Sequence, residues 1–132
     1  MEIIIWNDAS NIASLGQWEN ENISFFKSPV NMGRSMTREL LAEKAKYPYL
    51  LFLDADVLPI SSLFLTQYLQ HASEKAVLVG GIRYENHQPE SKRYFRWFYG
   101  KAREEISVEN RLKNPYDHFM TGNFLVPKSI FL

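Results

Sequence analysis

A chain of 132 residues, 45% hydrophobic and 14% aromatic, is sized for one domain with a core of its own. Fifteen Lys and Arg balance fifteen Asp and Glu, so no global charge draws the chain to nucleic acid or to an anionic surface. The sequence holds no cysteine, which excludes disulfides and thiolate metal sites and fits a reducing compartment.

The opening "MEIIIWNDAS" has neither a basic n-region nor a long apolar stretch and does not read as a signal peptide. Glu2–Trp6 is a β-branched run that ends at Asn-Asp and reads as a buried strand. Ile23–Lys27 is a weaker strand, stopped by Ser28-Pro29. From about Gly33 to Lys46, Met36, Leu40, Leu41 and Ala45 recur at helical spacing, and Pro48 ends that helix. Tyr49–Leu53 is apolar on both faces, as a central parallel strand should be, and too short to span a bilayer.

Further along, Ser61 or Ser62 is placed to N-cap a helix with an inner stripe of Leu65, Tyr68, Leu69 and Ala72. Ala76–Val79 reads as a strand closed by Gly80-Gly81. Phe95, Phe98, Tyr99, Ala102 and Ile106 recur at helical spacing and are expected to pack inward, with the interleaved Arg and Lys in water. Phe124–Val126 is a last short strand and Lys128–Leu132 the opening turn of a helix. Alternating strands and helices, with no repeat or linker, argue for a single α/β domain over residues 1–132, built on a mostly parallel sheet. Ligands of such sheets bind beyond the carboxyl ends of the strands, so Asn7-Asp8 and Asp54-Ala55-Asp56 are expected on one sheet edge.

Asp54 and Asp56 are two residues apart. If the backbone stays extended they face one site, and their hard oxygens suit Mg²⁺ or Mn²⁺. The plain alternative is a solvated acidic turn. "NDAS" at Asn7–Ser10 offers an amide and a carboxylate to a base or ribose edge, although such clusters are also ordinary turn chemistry. "NMGRSMTREL" leads into a helix N-terminus that favours anions, with Arg34 and Arg38 one turn apart, or else a solvated basic face. "SKRYFRWFYGKAR" mixes cations and rings, but a chain of zero net charge argues against nucleic acid as its partner. Thr121-Gly122-Asn123 is a tight turn that can offer hydroxyl and amide groups to a sugar. His71, His87 and His118 lack metal-ligand spacing.

Taken in order, "IIIWNDASN", "NMGRSMTREL", "YLLFLDADVLP", "VLVGG" and "TGNFLVPKSIF" resemble the family 2 glycosyltransferases of GT-A fold. The resemblance covers nearly the whole chain, is specific over Asn31–Pro59 and matches little from Glu85 to Asp117. It implies a nucleotide site of Asn7, Asp8, Asn31, Arg38 and Asp54, with Asn7 where the family usually has Asp. It implies Mn²⁺ or Mg²⁺ held by Asp56 and Asp54, and a donor-sugar or acceptor site at Gly80, Gly81, Thr121, Gly122 and Asn123. The donor would be a UDP- or GDP-sugar. The acceptor would be a glycan or lipid-linked hydroxyl of the cell-envelope polysaccharide kind, and the chemistry would lean to inversion.

The family carries a further strand and helix ahead of the strand equivalent to Glu2–Trp6, and its acidic base motif follows the position of Leu132. The expectation is therefore a partial domain with unpaired strand edges open to self-association and no efficient transfer by this chain alone. The compartment expected is cytoplasmic, with or without membrane association. Two other readings stand beside it. One is a non-catalytic nucleotide-sugar-binding remnant; the other is a haloacid-dehalogenase-like phosphatase, whose Asp-x-Asp also follows an apolar strand but normally opens its domain.

Overall fold

The computed structural model describes residues 1–11 and 18–132. Along them run β1 (Ile3–Asn7), β2 (Ile23–Lys27), α1 (Arg34–Lys44), β3 (Tyr49–Leu53), α2 (Phe64–His71), β4 (Leu78–Val79), α3 (Ser91–Arg103), α4 (Val108–Lys113), β5 (Asn123–Pro127) and α5 (Lys128–Phe131). The strands form two small sheets instead of one. β1 and β2 pair in parallel, and a three-stranded sheet has the order β3-β5-β4, with β4 and β5 antiparallel. The expectation of a single, mostly parallel sheet is thus not met among the described residues. The two acidic strand ends belong to different sheets, so they do not share one sheet edge. The chain also divides into two compact units. One comprises Met1–Leu50, Ser73–Ala76 and Val126–Leu132; the other comprises Leu51–Ala72 and Val77–Leu125.

In the first unit, the β-branched Ile3–Ile5 favour extended backbone, and β1 runs beside β2 in a register from Ile3↔Ile23 to Asn7↔Lys27. The ladder continues one step further, where the Ser28 N–H donates to the Asn7 carbonyl at 2.9 Å. Ser28 is fully buried, and its hydroxyl accepts from Trp6 Nε1 at 2.8 Å, which satisfies both polar groups in the interior. Trp6 and Phe26 stack with centroids 5.3 Å apart. α1 buries Ala42 completely, whereas Met36 of the expected inner stripe is exposed. The helix stops at Lys44 because Ala45 turns extended ahead of Pro48. Lys128 Nζ donates to the Ala45 carbonyl at 2.7 Å, a cation where the helix presents orphan carbonyls.

In the second unit, Phe52, Phe124 and Leu125 are buried, and Phe52 stacks on Phe124 at 5.0 Å. Each such side chain contributes roughly 1.5–3 kcal/mol by leaving water. α2 starts at Phe64 with Leu63, not a serine, at the N-cap, and Ser61 takes part through its carbonyl, which accepts from the Phe64 N–H. α4 was not legible in the sequence; Ser107 caps it by accepting from the Asn110 N–H at 3.3 Å.

α3 departs most from expectation. It begins at Ser91, four residues before the expected stripe, and Gly100 lies inside it. A Cβ at Gly100 would overlap the Tyr84 ring, so glycine here is a seat for that ring. The seat turns the aromatic stripe outward: Tyr94, Phe95, Phe98 and Tyr99 are all exposed. Tyr84 also donates its hydroxyl to Glu104, which Arg96 pairs at 3.0 Å. These partners hold the Glu104 carboxyl below its usual range, Arg96 first and Tyr84 second. Burial first, then the bond to Glu104, pushes the Tyr84 phenol up to about 12.

Candidate functional site

The first cluster lies at the carboxyl ends of β1 and β2. Asn7 Oδ1 accepts from the Ser10 N–H at 2.7 Å and from the Ser10 hydroxyl at 2.8 Å, closing a short turn through Ala9 at a φ of 61°. Asp8 reaches across the sequence. Its Oδ1 accepts from the Met32 N–H and its Oδ2 from the Gly33 N–H, both at 2.8 Å. Asn31 Nδ2 donates to the Asp8 carbonyl at 3.4 Å. Asn7, Asp8 and Asn31 therefore lie together at this strand end.

The carboxylate sits just ahead of α1, on the Met32 N–H and the N–H of the N-cap residue Gly33. Gly33 is the N-cap at a φ of 82°, a conformation that costs a side-chain-bearing residue energy, and nothing lies within 4 Å of where its Cβ would be. Arg38 lies on α1, half-buried. An open concavity of about 470 Å³ is lined by Ala9, Asn11, Lys27, Ser28 and Pro29. It sits beyond the ends of two parallel strands, where α/β sheets bind ligands. Lys27, the last residue of β2, adds an exposed cation that pattern reading overlooked.

The second cluster gathers around the end of β3. The Asp54 N–H donates to the Gly122 carbonyl at 3.0 Å, and the Asp54 carbonyl accepts from the Val57 N–H at 3.2 Å. A turn therefore opens at Asp54, and Asp54 and Asp56 do not lie on extended backbone; the same-face argument from strand geometry fails there. Asp54 is half-buried and Asp56 exposed. Asp54 Oδ2 lies 3.4 Å from where a Cβ on Gly122 would be, so the carboxylate and the Gly122 turn adjoin. Among the described residues no group of three or more His, Cys, Asp or Glu comes together to hold a metal ion.

β5 then links this turn to the glycine pair. The Gly80 N–H donates to the Asn123 carbonyl at 2.9 Å, and the Tyr68 hydroxyl donates to Asn123 Oδ1 at 2.6 Å. A Cβ on Gly80 would overlap the Asn123 amide and the Tyr68 hydroxyl. Gly80 thus admits two side chains of the protein itself, a tighter reason for glycine than room for a sugar. Next to Gly81, Arg111 Nη1 donates to the Val79 carbonyl at 3.0 Å, while Arg111 Nε is buried without a partner. Burial pushes the Tyr68 phenol up to about 12 against the lowering effect of the Arg111 charge and the Gly80 N–H, so it remains a donor at neutral pH.

Asp54, Gly80, Gly81, Gly122 and Asn123 are all brought into this one cluster, with Thr121 half-buried beside them. Tyr68 and Arg111 join it unannounced. Tyr68 reads in the sequence as one more residue of an apolar stripe, and Arg111 belongs to no motif of the sequence. Only the glycine pair hinted that something fills the space above it.

A family model described as glycosyl transferase family 2 matches residues 1–131. No curated protein and no solved structure matches the chain. The match sets aside the phosphatase alternative.

Proposed function

The chain belongs to glycosyl transferase family 2, and on that premise we propose that residues 1–132 act as one GT-A-like domain that binds a UDP- or GDP-sugar. The observation that carries the reading is the meeting of Asp54 with Gly122, two motifs far apart in sequence, at the end of β3. In this reading the Asn7, Asp8, Asn31 and Arg38 region, with the concavity beside Lys27, receives the nucleoside. The Gly80-Gly81 and Thr121–Asn123 turns face the donor sugar or the acceptor. Asp8 does its part by fixing the start of α1, and Tyr68 by holding the Asn123 amide in one orientation.

Asp54 and Asp56 are the residues that would hold Mn²⁺ or Mg²⁺. Their carboxylate oxygens fit a hard cation, and two protein ligands suffice where diphosphate oxygens and water complete the shell. Such an ion supplies stabilisation of the charge that grows on the leaving diphosphate. In the transfer itself, the bond from the anomeric carbon to the diphosphate oxygen breaks. A glycan or lipid-linked acceptor hydroxyl forms the new bond, and a carboxylate base takes its proton. A single displacement of this kind inverts the anomeric centre.

Calorimetric titration with UDP and with GDP, in the presence and absence of Mn²⁺, tests the proposal. Metal-dependent binding that Asp56→Ala removes is the expected result. Absence of binding to either nucleotide would leave the family membership without a working site. A nucleotide-sugar turnover assay on the same preparation separates an active enzyme from a binding remnant.

A further inference from the structure

α3 carries Lys92, Arg93, Arg96, Lys101 and Arg103 in thirteen residues and no acidic residue, in a chain whose net charge is zero. At the helical period, Tyr94, Phe95, Phe98 and Tyr99 gather on one face. The opposite face is already used: Gly100 is buried under the Tyr84 ring, and Trp97 Nε1 donates to the Glu85 carbonyl at 2.7 Å. The aromatic stripe therefore points away from its own support, with Phe95 76%, Phe98 54%, Tyr99 52% and Tyr94 40% exposed. Leu58 and Tyr116 are also exposed, but singly and on separate loops, which needs no explanation. Contiguous rings on one helix face do.

We propose that this face of α3 docks on an anionic lipid bilayer. The charges select that occupant. Arg96 is paired with Glu104 and Lys101 lies over the Trp97 ring, while Lys92, Arg93 and Arg103 are on exposed side chains. By the helical period Lys92 and Arg103 both lie along the Tyr99 edge of the aromatic stripe, where their stems can run along apolar surface and their heads reach lipid phosphates. A helix of about 20 Å with cations beside an aromatic face lies in the interface plane and does not cross it. No helix among the described residues is long and apolar enough to cross a membrane. A second copy fits less well, because an isologous contact through α3 would set the same cations against each other. Single-stranded nucleic acid fits less well because strands are held in a positively charged groove, whereas α3 offers the convex face of one helix. The inference does not rest on the nucleotide site, so either can fail without the other.

The test is co-sedimentation of the full chain with phosphatidylcholine vesicles with and without phosphatidylglycerol, at low and high salt. Binding to the anionic vesicles alone, weakened by salt, is the expected result. Phe95→Ser with Phe98→Ser, and separately Lys92→Gln with Arg103→Gln, should each weaken it by about tenfold or more. Both pairs are on the surface, and an unchanged thermal melt would show that the fold is intact. Equal binding by the variants, or no preference for anionic vesicles, overturns the proposal. So does a dimer or an oligonucleotide complex that the same substitutions abolish.

Discussion

At the end of β1, Asp8 is gripped by two backbone N–H groups at 2.8 Å; at the end of β3, Asp54 is held through its own backbone, its N–H on Gly122 at 3.0 Å. Both aspartates follow an apolar strand, and both read in sequence as candidate ligands. The first has become part of the scaffold. It joins the end of β1 to the start of α1 and satisfies the Met32 and Gly33 N–H groups at the entry to that helix. The second stands at the opening of a turn in which Asp56 is exposed. Two aspartates that each follow an apolar strand are thus anchored through different groups, Asp8 through its carboxylate and Asp54 through its backbone N–H and carbonyl.

Substitutions can break this contrast. The largest effect is expected from Gly80→Ala, which forces the Asn123 amide and the Tyr68 hydroxyl out of place. A loss of about 3 kcal/mol in a urea titration is expected, as for overpacking at a closed site. Asp8→Ala should follow at about 2 kcal/mol, since Met32 and Gly33 lose a charged acceptor, and Asp8→Asn should restore part of it. If Asp8→Ala melts like the unaltered chain, the scaffold role assigned to it is wrong. Asp56→Ala should change stability by less than about 0.5 kcal/mol.

A smaller effect is expected from pH. The Glu104 carboxyl is depressed by Arg96 and Tyr84, so its stabilisation is present above the ordinary carboxylate pKa and is lost as pH falls through the lowered folded value. Tyr84 is raised, so its share is present below the ordinary 10.0 and is lost as pH rises through about 12. Arg96 is mostly exposed, so salt should shrink the acid limb. Glu104→Gln should flatten that limb in a series of urea midpoints against pH.

Much of the fold could be read from residue order. β2 and β3 have the bounds that the apolar runs gave them, and Pro48 marked the end of α1. What could not be read depends on contacts distant in sequence. Periodicity puts Phe95, Phe98 and Tyr99 on one face of α3 but does not say whether that face is turned inward; the Gly100 seat under Tyr84 decides it. The two-residue period assigns Asp54 and Asp56 to one side only while the backbone is extended, and the bond from the Val57 N–H to Asp54 ends that stretch. Strand direction is likewise silent in composition, and β5 runs antiparallel to β4. At the candidate site the aspartates and glycines were visible as motifs. Tyr68 and Arg111 were not, because a phenol in an apolar stripe and a lone cation carry no signal until the chain folds over them.

The most direct test measures stability and nucleotide binding on the same three preparations: the unaltered chain, Asp8→Ala and Asp56→Ala. The account predicts that Asp56→Ala melts with the unaltered chain and loses Mn²⁺-dependent binding of UDP or GDP, while Asp8→Ala melts earlier. Undiminished metal-dependent binding by Asp56→Ala would contradict it.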